Sequence, residues 1–270
     1  MPADSSYMLV IVTEGPDDVK ILGALLERMG WQRQEEEWVR GQSRVRIFPS
    51  GDDRGGKDNI PTLISKYWWF ADRFLVVFDP DDQNPDLEIE RLCEQLERRL
   101  QESLYVRIWS REPDLRDRRI WIIREVGGRE VLLSFWPAMV VEDQLSELIR
   151  ASQPAHSIED YVLQIGMQEA IVRRLLESRN FHRVRQPERI PPEKFIPKLM
   201  EILDLLRKQK IEVCSAKRVM DFYVALLGFR GGFGRLGAET IRSLDPQEIE
   251  GAFGGLPLLL RSLLDEQQTA

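Results

Sequence analysis

Two runs in this chain, YMLVIV at 7–12 and FLVVF at 74–78, are apolar at every position. A strand with one face in water alternates apolar and polar residues. A strand with no polar face must be covered on both sides, which is the condition of a central strand in a parallel sheet with helices against its faces. That requirement directs the chain toward an α/β fold before any other feature is considered.

The segments around the two runs agree. Gly15-Pro16 breaks the first run, and Asp17 is placed to cap a helix extending to about Met29, with Val19, Leu22, Leu25 and Leu26 on one face. RVRIF at 44–48 alternates as a second strand does, NIPTLISKYWWF at 59–70 reads as a helix, and RFLVVF is the third strand. A polar helix is expected from about Asp86 to Glu102, with Leu87, Leu92, Leu96 and Leu100 inward. YVRIWS, RRIWIIREV and REVLLSFW follow, the last two flanking Gly127-Gly128 as a hairpin. The expected architecture is therefore a mostly parallel sheet flanked by helices, with an antiparallel edge hairpin, over residues 1–150. After the linker SQPAHS the pattern turns helical, at about 158–178, 192–209, 215–227 and 256–266, so residues 151–270 read as an all-helical part.

Charge and composition narrow the setting. The N-terminus lacks the basic start and apolar core of a signal peptide, and no run is long enough to span a bilayer. Cys93 and Cys214 make neither a disulfide framework nor a zinc ligand set, so a cytoplasmic location is expected. The net charge of −7 argues against bulk attraction to nucleic acid. Yet residues 173–218 hold thirteen Lys and Arg against six Asp and Glu, a local +7 that leaves −14 on the rest. An acidic body with a basic segment suits a polyanion held at one face, although a solvated helical surface has the same composition.

Both apolar runs end in acid: Glu14 after the first, and Asp79-Pro80-Asp81-Asp82 after the third strand. In a parallel sheet the carboxyl ends of the strands share one edge, where ligands of open α/β folds bind. If the first and third strands are neighbours, Glu14, Asp79 and Asp81 converge, and unneutralised they oppose one another's ionisation. A hard divalent cation resolves that conflict. Each piece alone is also ordinary turn or cap chemistry; the combination at two strand ends is what points to a metal.

VIVTEGPDD followed by FLVVFDPDD resembles the Toprim domain of topoisomerases, bacterial primases, OLD-family nucleases and small RNA-maturing nucleases. GGKDNIPTLI and Glu142-Asp143-Gln144-Leu145 resemble motifs of prokaryotic Toprim proteins with a helical C-terminal part. The resemblance covers residues 1–150. It implies that Glu14, Asp79 and Asp81 hold catalytic Mg²⁺ (or Mn²⁺), joined by the acid after Glu-Gly, Asp17 or Asp18, with Asp18 the chosen ligand. It further implies that Glu142 helps bind a second ion, against a default role at a helix start. Lys217 is implied as the catalytic lysine of the C-terminal part, against an ordinary surface position.

Other motifs say less. GDDRGGKD at 51–58 nearly spells a P-loop, but Asp58 stands where a hydroxyl residue belongs, and Asp52 and Asp53 would face the phosphates. Lys57 or Arg54 touching a substrate phosphate is the preferred reading. GFRGGFGRLG at 228–237 offers Arg230 and Arg235 to a phosphate backbone or is a plain interhelical loop. His156 and His182 form no recognisable dyad.

The expectation is a Mg²⁺-dependent phosphodiesterase acting on DNA or RNA, with no membrane partner and no oligomeric state implied. The alternative is a non-catalytic Toprim-like module that binds nucleic acid or a nucleotide, or bridges partner proteins. A primase or topoisomerase fragment ranks below both, because no tyrosine has the context of a topoisomerase nucleophile and no template-binding module is evident.

Overall fold

The structure, a computed structural model, describes residues 8–51, 56–80, 84–114, 120–139, 157–178, 190–211, 213, 216–229 and 231–265. Strands β1 (Met8–Thr13), β2 (Gln32–Gln34), β3 (Glu37–Arg40), β4 (Ser43–Pro49), β5 (Arg73–Phe78), β6 (Ile108–Pro113), β7 (Ile120–Glu125) and β8 (Glu130–Pro137) form one sheet, in the order β2-β3-β4-β1-β5-β8-β7-β6. The two wholly apolar runs are β1 and β5. They are adjacent and parallel, with Ile11 opposite Leu75 and Val12 opposite Val76.

The strand period sorts the core into two halves. Leu9 and Ile11 of β1, with Leu75 and Val77 of β5, face one side; Val10, Val12, Phe74, Val76 and Phe78 face the other. On the second side lie helices α2 (Ile60–Tyr67) and α3 (Pro85–Leu104), which contribute Ile60, Ile64, Leu92, Leu96 and Leu100. On the first side lies α1 (Pro16–Arg28) with the later helices: α4 (Ile158–Gly166), α5 (Glu169–Glu177), α6 (Pro192–Lys208), α7 (Ala216–Leu227), α8 (Phe233–Arg242), α9 (Pro246–Gly251) and α10 (Leu256–Asp265). Leu236, Ile241, Phe253 and Leu260 from this later part are buried in the same apolar cluster as Leu9 and Leu25. Among the described residues no helix is long and apolar enough to cross a membrane.

The sheet is mixed rather than mostly parallel: β4, β1, β5 and β8 run parallel, and both flanks are antiparallel. The β2–β3 ribbon escaped the sequence reading because Gln32, Arg33 and Gln34 are all exposed and carry no apolar signal. The expected hairpin exists between β7 and β8, turning at Gly128, whose φ of 84° is one that L side chains rarely adopt. However, β8 is interior, parallel to β5, as its own apolar content requires, and β6 forms the edge. The segment at 158–178 is two helices, α4 and α5; α8 was not anticipated because Gly231, Gly232, Gly234 and Gly237 read as a loop, and α9 is only six residues long, too short to show a helical period.

Candidate functional site

The carboxyl ends of β1 and β5 lie side by side, and their acids meet there. Glu14 follows β1 directly. Its Oε1 accepts a hydrogen bond of 2.8 Å from the backbone N–H of Asp79, the first residue after β5. Asp18 sits in the first turn of α1, and its Oδ2 accepts the Gly15 N–H at 3.0 Å, closing the start of the helix. Asp79 Oδ1 in turn accepts the N–H of Ile158, the first residue of α4, at 3.3 Å. A strand tip, a second strand tip and two helix N-termini are thus tied together by carboxylates.

The loop after β4 closes one side. Ser50 donates its N–H to the Thr13 carbonyl at 2.7 Å, and its hydroxyl lies 3.4 Å from the Glu14 carbonyl and 3.2 Å from that of Gly56. The glycine loop therefore leaves and returns at the acidic edge. Asp58, where a P-loop carries its hydroxyl residue, is 2.9 Å from Nη1 of Arg91 on α3.

On the other side the start of α4 is fixed from below. Ser157 N–H donates to Asp160 Oδ2 at 3.0 Å, and Tyr161 donates its hydroxyl proton to the Met139 carbonyl. The Tyr161 ring packs against Trp136 of β8 and Phe253, with centroids 5.3 and 5.6 Å away. This anchoring brings Glu159, at the second position of α4, to the acidic edge.

Burial and mutual repulsion disfavour ionisation here. Asp79 is pushed up to about 9, first by removal from water, then by the charges of Glu159, Asp18 and Glu14; the Ile158 N–H acts the other way. Asp18 is pushed up to about 7, again chiefly by burial, with the Gly15 N–H opposing and Glu159, Glu14 and Asp17 adding to the rise. Glu14, Asp18, Asp79 and Glu159 therefore share one edge, with Asp17 adding its charge at Asp18 alone. Their donors are all hard oxygens, the set that suits Mg²⁺ rather than a softer metal. Among the described residues, no three His, Cys, Asp or Glu side chains come together in a metal-holding arrangement.

Of the expected site residues, the structure places Glu14, Asp18 and Asp79 along one sheet edge, within electrostatic reach of one another but not closed into a ligand set. Asp17 points elsewhere, to Lys20 Nζ at 2.7 Å. Asp81, Asp82, Glu142, Asp143, Arg54, Arg230, Cys214, His156 and His182 lie outside the described residues, and so does the side chain of Lys217, whose backbone is the second residue of α7. Cys93 is buried on α3, its thiol pushed up to about 12 by that burial, and takes no part in this site. Glu159 was missed. The capping pattern Ser157-x-x-Asp160 marks its helix start, but nothing local says which sheet edge that helix meets.

No family model matches the chain, and no curated protein matches it. A crystal structure of lactoylglutathione lyase from Agrobacterium tumefaciens aligns with 50% of this chain and 96% of its own, at 14% identity and a TM-score of 0.15, too slight a likeness to carry an argument.

Proposed function

We propose that this chain is a Mg²⁺- or Mn²⁺-dependent phosphodiesterase of the Toprim type, acting on DNA or RNA. One observation supports the reading: Glu14, Asp18 and Asp79 line one edge at the tips of two neighbouring parallel strands, within electrostatic reach of one another, where two of them resist ionisation without a counter-charge. Glu14, Asp18 and Asp79 would hold the ion, with Asp81 completing the set and Glu142 contributing to a second position. A bound divalent ion supplies a more acidic water and neutralises charge on the phosphoryl oxygens. Lys217, in the role the resemblance implies, would stabilise the charge developing on those oxygens. Glu159 would keep the local potential negative, so that a cation is drawn to the edge.

Cutting of single- and double-stranded DNA and RNA in Mg²⁺ or Mn²⁺, with EDTA as control, tests this. Asp79→Ala should abolish cutting, and an Asp79→Ala protein as fast as wild type overturns the assignment.

A second reading, a non-catalytic module, draws on a different fact: Glu14, Asp18 and Asp79 each already accept a backbone N–H, so each also does structural work. Calorimetric Mg²⁺ binding without turnover on any of the four substrates would favour it.

A further inference from the structure

A groove lies where α1, α8 and the β2–β3 ribbon meet. It is a cavity of about 160 Å³ lined by Lys20, Gly23 and Glu27 of α1, by Arg235 and Arg242 of α8, and by Arg33 and Trp38 of the ribbon. Helical spacing sets this arrangement: 20, 23 and 27 share one face of α1, and 235, 238 and 242 share one face of α8. On the ribbon, Arg33 and Trp38 are directly paired across the strands. Four cations thus face one carboxylate, Glu27.

The cations are not equivalent. Lys20 is held by Asp17 at 2.7 Å, and Arg242 by Glu27 and Glu239 at 3.0 Å each. Arg33 and Arg235 have no carboxylate partner among the described residues. The Arg33 guanidinium lies 5.5 Å from the centre of the Trp38 ring, and that of Arg235 lies 5.9 Å from Phe229. Stacked guanidiniums of this kind keep their N–H edges available for an oxyanion.

An orphan donor accompanies them. Trp38 is 5% exposed, and its indole Nε1 is buried with no hydrogen-bond partner. The ring edge next to Nε1, Cε2 and Cζ2, faces Gly23, which also lines the cavity; a Cβ at Gly23 would come within 2.5 Å of Cζ2. Among the described residues Arg33 spends only its Nε–H, on the Glu35 carbonyl at 3.3 Å, so a buried N–H beside two arginines that lack a carboxylate is a set of donors awaiting an acceptor. The cavity has the volume of about five liquid waters at ~30 Å³ each, which suits a phosphate group rather than a whole nucleotide.

The geometry points to this cavity as a phosphate-binding pocket, with Arg33, Arg235 and the Trp38 N–H as its donors and Lys20 at its margin. Lys20 lies two residues past Asp18 on α1, about 3 Å further along the helix axis. Arg235 adjoins Gly234, which packs on Asp17. A polynucleotide strand with one phosphate in this pocket would have to run round the first turn of α1 to bring another phosphate to the acidic edge. The pocket stands on its own donors; only the identification of its phosphate with a polynucleotide backbone rests on the proposed function.

The test is binding in EDTA, where no cutting occurs, using the full chain and two probes: a fluorescein-labelled 20-nucleotide single-stranded DNA followed by anisotropy, and inorganic phosphate followed by thermal shift at constant ionic strength. For a backbone phosphate, Arg33→Gln/Arg235→Gln weakens the oligonucleotide at least about ten-fold and lowers the salt slope by about 1.4, the contribution of two contacts to a single strand. The control Arg98→Gln/Arg99→Gln on α3 stays within about two-fold. Trp38→Phe removes the N–H together with the fused five-membered ring and weakens binding about three-fold. If the oligonucleotide does not bind but phosphate stabilises wild type and not the double variant, the pocket takes a free phosphate or monoester. If neither probe separates wild type from the double variant, or the α3 control loses as much, the pocket is overturned. Loss of Mn²⁺-dependent cutting with this binding intact would sink the nuclease reading and leave the pocket standing.

Discussion

The Glu14 carboxylate accepts the backbone N–H of Asp79 across 2.8 Å, so one acidic strand tip is latched to the other by the side chain that would bind an ion. Structure and chemistry are separable at this residue. Glu14→Gln keeps an acceptor oxygen and should leave stability within about 1 kcal/mol of wild type. Glu14→Ala leaves the Asp79 N–H without its partner and should cost about 1–3 kcal/mol. Both should lower metal-dependent cutting by at least about 100-fold. Urea denaturation at pH 5.5 beside a cutting assay checks the pair, and equal destabilisation by the two substitutions would refute the latch.

The raised acids make stability depend on pH in a defined direction. Asp79 at about 9 and Asp18 at about 7 in the folded chain both lie above the ordinary aspartate value of 3.8. Between about 4 and those values the folded state holds more protons than the unfolded one, so stability falls as pH rises. Their contribution is fully present below about pH 4 and lost as pH climbs through 7 and then 9. The slope is at most about 1.4 kcal/mol per pH unit for each group. In EDTA, the melting temperature should fall from pH 5 to pH 8.5, and Asp79→Asn should flatten that fall. Added Mg²⁺ should restore more at pH 8.5 than at pH 5, because the cation competes with protons for the same oxygens. A melting temperature that rises with pH over this range in EDTA would contradict the arrangement.

Glu159 makes a sharper case, since it is the largest charge contribution to the rise at Asp79 and also raises Asp18. Replacing it with Gln removes a negative charge from a crowded edge while keeping the shape of the α4 start. Glu159→Gln should therefore stabilise the metal-free protein at pH 8, on the order of 1 kcal/mol, and do little at pH 4.5. Its Mg²⁺ affinity should fall, because the cation loses an attracting charge. Scanning calorimetry at the two pH values decides it; destabilisation at pH 8 would mean that Glu159 serves the fold instead.

Much of this edge was legible because the constraint was local. A strand apolar on both faces has to be central, and an acid directly after it has to lie at the sheet edge, so Glu14 and Asp79 could be brought together on paper. Asp18 followed from its place in the first turn of α1. Glu159 could not be placed this way, because its position depends on Trp136, Tyr161 and Phe253, which are far apart in the chain and meet only in the fold. The β2–β3 ribbon was hidden for another reason: its residues are polar, and it is held by its neighbour β4 rather than by a pattern of its own. That ribbon supplies two of the donors of the basic cavity. Arg235 was considered for phosphate contact from the sequence, but its companion Arg33 was not.

The same glycines that disguised α8 as a loop set how closely it approaches α1, and this can be measured. A Cβ at Gly234 would lie 2.6 Å from the Asp17 Cα, a backbone atom that cannot swing aside. Gly234→Ala gains about 1 kcal/mol of helix propensity but forces the two helices apart, an overpacking cost of about 1–3 kcal/mol. The net effect should be a loss of up to about 2 kcal/mol. Gly251→Ala, at the end of α9 where a Cβ meets nothing within 4 Å, has no such clash and should be neutral or slightly stabilising. Because Asp17 adjoins Asp18 on one side of the contact and Arg235 adjoins Gly234 on the other, the widened crossing should also weaken both Mg²⁺ and oligonucleotide binding, whereas Gly251→Ala should alter neither. Chemical denaturation of the two variants, followed by metal titration and anisotropy, tests the chain of dependence. A Gly234→Ala protein more stable than wild type by the full ~1 kcal/mol of helix propensity would show that α1 and α8 do not meet backbone to backbone at this point.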